Sequence, residues 1–397
     1  MRPPTPRGIG LYLGVVQFFF ALCWTVYVIF LPQLAAQVGI PKQAVLWILM
    51  LDQLIFVLTD YAMGVASDRL ARIVGRVGHV VLGVTLLSCA AFLALPFVAP
   101  QGSPVLFLVV TVLWSVSSSA LRAPPLTLIG RHAARPQQPW LVALSLLGLG
   151  IAGAIAPYLS VHLRGIDPRG PFVLSSLALA LTTLGIVAAE RALARSSALA
   201  GQEAPAPVAG RAASTPQALL FVLAAVFAAL AFQVHASLNS APLYLRLASA
   251  DEMPFLAPVF WVGFNLFMLP ASLATKRWGA LVMMGTAGVI AGAAAIVAMQ
   301  AGSLQMLVGA QFIAGAAWAG LLMSGFAATL DLGHTGSEGR FSGALSSVLA
   351  FAALLRMGVL ALEWNKASPA LLQWLPAAAW LLAGGLLLAL SRRRAAS

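Results

Sequence analysis

Twelve apolar runs, each long enough to cross a bilayer, leave this chain few folds to choose from. They cover about 10–34, 43–66, 77–98, 104–128, 140–162 and 171–193, then 217–242, 254–274, 279–299, 304–331, 341–363 and 369–390. A spanning helix needs roughly 20 apolar residues. Hydrocarbon offers no water to backbone groups, so each run is expected to be a helix that satisfies its own N–H and C=O groups. A soluble domain carries about 25% charged residues. Here the share is 9%, with 61% apolar residues and a mean hydropathy of +0.94. The expectation is an all-α membrane protein with twelve transmembrane helices.

Charge placement orients these helices. With the N-terminus in the cytoplasm and each helix reversing direction, 16 of the 23 basic residues fall in inside segments and 5 in outside segments. Arg122 and Arg356 fall within helices. That bias follows the positive-inside rule and puts both termini in the cytoplasm. It also accounts for the net charge of +12. The basic residues form no stripe and are not interleaved with aromatic platforms, so nucleic acid is not an expected partner; membrane lipids are. The first run follows Arg2 and Arg7, as the apolar segment of a signal peptide would. It is too long and lacks a convincing cleavage site, so it is expected to be a retained helix. Cys23 and Cys89 lie in apolar runs and imply neither a disulfide framework nor a metal site. No cofactor is expected.

The longest polar stretch, 195–216, is rich in Ala, Pro, Gly and Ser, as a flexible linker is. It divides the chain into a six-helix bundle over 1–194 and another over 217–397. Two offsets suggest parallel repeats. Pro32 and Pro242 are 210 residues apart, and the basic turns at Asp68-Arg69 and Lys276-Arg277 are 208 apart.

After the second run the chain reads Gly64-Val65-Ala66-Ser67-Asp68-Arg69-Leu70-Ala71-Arg72. This resembles the G-x-x-x-D-R-x-x-R signature between helices 2 and 3 of the major facilitator superfamily. The resemblance implies secondary transport of a small solute by alternating access, in which two halves rock about a midplane site. A monomer suffices for that motion. It further implies that Gly64 permits close helix packing. Asp68, Arg69 and Arg72 would form a charged clamp on the cytoplasmic face. Asp68 would face the N-terminus of helix 11 near Phe341, where the helix dipole favours a carboxylate. Arg122 stands in helix 4, where many proton-coupled members carry a basic residue, although Pro124 and Pro125 replace the expected Gln-Gly. Helix 5 resembles the antiporter motif G-x-x-x-G-P-x-x-G-G loosely, with Gly148, Ala152, Ala156 and Pro157, then Ser160 and Val161 in place of the two glycines. The same residues make a small-residue packing face. Export is therefore one alternative and import another.

Ionisable groups inside spanning helices are costly and default to functional candidates. Helix 2 carries Asp52 and Asp60, eight residues apart, about 12 Å along the axis and roughly 80° around it. Both are expected to point broadly to one side. Asp60-Tyr61-Ala62-Met63-Gly64 is similar to the D-P-x-x-G stretch of melibiose-type carriers, which implies a role in binding a coupling ion, a proton or sodium. Asp60 precedes Asp68 by eight residues and Arg122 precedes Arg131 by nine, so Asp60 and Arg122 are expected at similar depth, as a coupling pair or as a static one. On helix 11, Arg356 and Glu363 are expected to share a face. On helix 7, Gln233, His235 and Asn239 are substrate-binding candidates; Gln17, Trp24 and Thr25 on helix 1 would form the facing wall. Asp331 and His334 are expected to be capping or loop residues.

Other function classes fit less well. The chain has no H-E-x-x-H, no G-x-S-x-G and no Ser/Lys dyad, so an enzyme is not expected. A non-transporting receptor or assembly partner with the same fold is the alternative. Acidic groups in an apolar cavity would suit lipophilic cations, whereas Arg122 and Arg356 would suit carboxylates or phosphorylated solutes. Arg in excess of Lys and the lack of an N-x-S/T site point to a bacterial inner membrane.

Overall fold

The computed structural model describes residues 6–73, 77–199, 215–333 and 336–396. Twelve helices long and apolar enough to span appear among them. They are α1 Arg7–Gln37, α2 Lys42–Ala71, α3 Gly78–Gln101, α4 Pro104–His132, α5 Arg135–His162, α6 Arg169–Arg195, α7 Pro216–Leu245, α8 Ala250–Trp278, α9 Ala280–Met299, α10 Leu304–Leu332, α11 Glu338–Ala361 and α12 Pro369–Arg394. Each apolar run became one helix, and most helices extend a turn past the apolar core into polar residues. One residue joins α8 to α9. Gly279 holds φ 89°, a conformation open to glycine because it has no Cβ. Residues 200–214, most of the expected 195–216 linker, lie outside the described residues, while helix continues through Leu199.

In α4 and α7 regular geometry gives way where proline removes backbone donors. In α4 the helix breaks over Ser119–Ala123, ahead of Pro124 and Pro125. Neither proline can donate to the carbonyls of Ala120 and Leu121, four residues back. Gln17 of α1 takes up one of these, its Nε2 donating to the Leu121 carbonyl at 2.6 Å. In α7 a π-turn spans His235–Asn239, with Ser240 N–H reaching the His235 carbonyl five residues back. Pro242 follows within the next turn. Wide turns of this kind recur at functional positions.

In the first half, α1 packs on α5 and α6, and α3 on α4 and α6. In the second, α9 packs on α10 and α12, and α7 on α12. The halves meet where α2 crosses α11 and α5 crosses α8. Gly148 lies in the α1–α5 crossing, where a Cβ would collide with the Gly14 carbonyl oxygen and the Phe18 amide. The small-residue stretch of α5 is thus a packing face at that position.

Candidate functional site

A buried polar seam joins α2 to α4. Asp52 accepts from Tyr27 Oη at 2.8 Å and from Ser115 Oγ at 2.6 Å. About two turns along α2, Thr59 Oγ1 and Ser119 Oγ lie 2.7 Å apart. Asp60 pairs with Arg122 Nη1 at 2.8 Å, and Ser67 Oγ meets Thr127 Oγ1 at 3.2 Å. Asp52 and Asp60 therefore both address α4. The Asp60 side chain is fully buried, while 26% of Arg122 stays exposed. The Arg122 guanidinium also lies 4.1 Å from the Phe56 ring centroid, a cation–π contact. The break in α4 turns Arg122 into this position.

Between the halves lies a cavity of about 620 Å³, walled by α1, α2, α4 and α5 on one side and α7, α10 and α11 on the other. Sites for small molecules fall in roughly this range of volume. Gln17, Trp24, Arg122, Gln233 and Arg356 line it, together with Gln53, Ser145, Ser237 and Ser346. Its apolar walls include Phe20, Phe232, Leu322 and Phe326. Phe232 is held by face-to-face stacking on Trp318, with centroids 4.2 Å apart. Arg356 donates through Nε to Gln233 Oε1 at 3.0 Å. Among the described residues it has no carboxylate partner.

The cavity is closed at the end that carries Asp68. The Asp68 carboxylate accepts the backbone N–H groups of Gly339 and Arg340, both at 2.8 Å, across the seam between halves. These are the first amides of α11, whose carbonyl-bonding partners lie outside the helix, so an anion there is favoured. Close approach makes this possible. A Cβ at Gly64 would collide with the Gly339 carbonyl oxygen, and one at Gly343 would lie 2.6 Å from the Asp60 carbonyl oxygen. Arg340 adds a bond from Nε to Tyr61 Oη at 3.1 Å. Arg69 is exposed. The Arg72 side chain and His334 lie outside the described residues.

Four expected site residues are placed elsewhere. Glu363 is not on a helix face shared with Arg356. It follows the end of α11, at φ 55°, and pairs at 2.8 Å with Lys366 on the surface. Both side chains are about two-thirds exposed, at 68% and 70%. His235 and Asn239 are absent from the cavity wall: two residues carry His235 about 200° around α7 from the cavity-lining Gln233, and both side chains turn into the second bundle. There His235 Nε2 lies 3.0 Å from Gln311 Oε1, and Asn239 Nδ2 donates to the Leu372 carbonyl at 2.9 Å. Gln233 and Ser237, four apart on the other face of α7, line the cavity instead. Thr25 bonds to its own helix at the Ala21 carbonyl. Asp331 at the end of α10 lies 3.6 Å from Arg394.

Glu363→Ala leaves thermal stability and transport within error of wild type, because an exposed pair contributes about 0–1 kcal/mol. A coupling role for Glu363 would instead show as lost gradient-driven uptake. His235→Leu lowers thermal stability, since the Gln311 amide loses a buried partner worth about 1–3 kcal/mol. Solute affinity stays unchanged in the surviving folded fraction, as binding isotherms would show; a selective loss of affinity would return His235 to the site.

A sequence model of the Major Facilitator Superfamily matches residues 13–355, nearly the whole of this architecture. The chain belongs to that superfamily. Among curated proteins none matches it in sequence. Three similar solved structures show the same major facilitator fold. The human organic anion transporter MFSD10 (TETRAN) has 16% identity and a TM-score of 0.72, with 97% of this chain and 100% of that chain covered. A bacterial homologue of the iron transporter ferroportin, in an outward-facing state with soaked iron, has 14% identity, a TM-score of 0.72, and 96% and 99% covered. The E. coli fucose:proton symporter has 15% identity, a TM-score of 0.62, and 97% and 98% covered. At such identities the likeness is one of fold. As a major facilitator protein with transporters around it in fold space, the chain is an integral membrane transporter, not an enzyme.

Proposed function

We propose that this protein is a proton-coupled secondary transporter working by alternating access, with residues 1–194 and 217–397 as the two rocking bodies and 195–216 as their link. The motif end would face the cytoplasm of a bacterial cell, with both termini on that side and the protein in the inner membrane. The observation that carries the coupling is the Asp60–Arg122 pair: a fully buried carboxylate, 2.8 Å from a guanidinium that lines the cavity. Adding a proton to Asp60 removes the charge that holds Arg122, and so links protonation to the wall of the solute site. Asp52, about two turns away with only hydroxyl partners, is a second proton acceptor on the same helix.

The similar structures carry organic anions, iron or sugars according to their descriptions, so fold alone does not choose the solute. The test is flux in proteoliposomes containing the purified chain, with labelled carboxylates, sugars and amines under an imposed pH gradient. Accumulation of one solute that collapses when the gradient is dissipated supports the reading. Reversing the gradient tells import from export, and a sodium gradient replaces the proton if sodium is the coupling ion. A chain that binds solute without moving it in either direction is a receptor, and the reading falls.

A further inference from the structure

The cavity wall carries two guanidinium groups and, among the described residues, no carboxylate. Asp60, behind the wall, neutralises Arg122. Arg356 has no such partner, and an unpaired cation at membrane depth is costly enough to mark a functional site. Its environment completes a donor cluster. Arg can only donate, so the Gln233 oxygen must face its Nε, and the Gln233 Nε2 amide is left to donate elsewhere. Ser237, one turn further along α7, and Ser346 of α11 add hydroxyls to the same wall. Trp24 and Phe20 line the opposite wall from α1, and Phe232 adjoins Gln233 on α7.

We infer that the transported solute is an organic monoanion, its anionic head held by Arg356 and Gln233 and its apolar body against Trp24, Phe20 and Phe232. This deepens the transport reading above and rests on it for the word transported; the binding site itself does not. A planar guanidinium matches carboxylate or sulfonate in bidentate fashion. A phosphate monoester, with nearly two charges, would need a second free cation, and Arg122 is already engaged by Asp60. A lipophilic cation would meet a surplus of positive charge with no acid exposed to it.

The test uses the full chain in lipid nanodiscs. Benzoate, 1-naphthoate and decanoate are each compared with the matching amide and the matching ammonium compound by thermal stability and equilibrium dialysis. Benzenesulfonate and phenyl phosphate are the arms that separate head groups. At least one carboxylate is expected to bind about tenfold or more tightly than its amide, the scale of a charge-assisted bond. Arg356→Gln removes this preference and Arg356→Lys restores part of it. The wild-type comparison decides the question even where a variant fails to fold. If amides or ammonium compounds bind as tightly as every anion, the inference is overturned, as it is if folded Arg356→Gln keeps the preference or phenyl phosphate outranks both monoanionic heads. Flux separates the two readings. Anion binding without movement sinks transport and leaves this site standing, whereas movement of a cation or neutral solute without anion preference does the reverse.

Discussion

Asp60→Asn abolishes pH-driven accumulation and spares exchange of labelled for unlabelled solute. The substitution is close to isosteric, and the amide oxygen still accepts from Arg122 Nη1 at the 2.8 Å position that Oδ2 holds. What it removes is the ability to take up and release a proton. With one proton per solute, a pH difference of one unit supports about tenfold accumulation, because each unit is worth 1.36 kcal/mol. The variant is expected to level off at equal concentrations on both sides under the same gradient. Exchange needs no net proton movement, so it persists. Accumulation equal to wild type would remove Asp60 from coupling and leave the pair a structural bridge between α2 and α4. Asp52→Asn is the informative companion. If Asp60→Asn still accumulates and Asp52→Asn does not, the proton site lies on the same helix, two turns nearer the opposite end.

The second large effect is expected at Gly64. Glycine within a helix is disfavoured by about 1 kcal/mol relative to alanine, so local propensity alone predicts that Gly64→Ala stabilises α2. The packing predicts the opposite for the observed conformation. A Cβ there runs into the Gly339 carbonyl oxygen, which is backbone and cannot swing aside. Forcing atoms into such a contact costs about 1–3 kcal/mol, and the cost falls only on the state in which α2 and α11 touch. A bias of about 2 kcal/mol changes the ratio of closed to open motif ends about thirtyfold. Gly64→Val enlarges the effect. The readout is a cysteine at Ser346, on the cavity wall, labelled by an impermeant maleimide from the motif end. Both native cysteines are buried and give a low background. Labelling is expected to rise strongly in Gly64→Val, and unchanged labelling would mean that this contact does not set the gate.

How much of this was legible in the chain differs by level. The twelve helices were, because span length and apolar content are properties of each segment alone. The Asp60 and Arg122 pairing was also within reach, since depth along an antiparallel bundle is countable from loop to loop. Side-chain direction was not. His235 and Asn239 do share a face of α7, but it is the face about 200° from Gln233, and spacing alone does not say which of the two meets the cavity. Glu363 differs for another reason: the helix ends before it, at Ala361, so spacing of seven from Arg356 no longer means a common face. The hydroxyl partners of the seam carry no charge to mark them in an apolar run. Ser115, Ser119 and Thr127 repeat along α4 at near-helical intervals, and that repetition in an apolar run was the signal.

The two Asp68 bonds to the Gly339 and Arg340 main-chain amides have no counterpart among the described residues of the second half. The corresponding turn at the end of α8 offers Lys276 and Arg277, both exposed, with no acid paired to either. The two-fold design is therefore broken at its fasteners: among the described residues the latch at the motif end is built from one half's turn alone. Its bonds form only while α2 and α11 touch, so they favour the posture in which the motif end is shut, and opening that end gives up both. A weakened latch would change the side on which the carrier waits before it changes what the carrier holds.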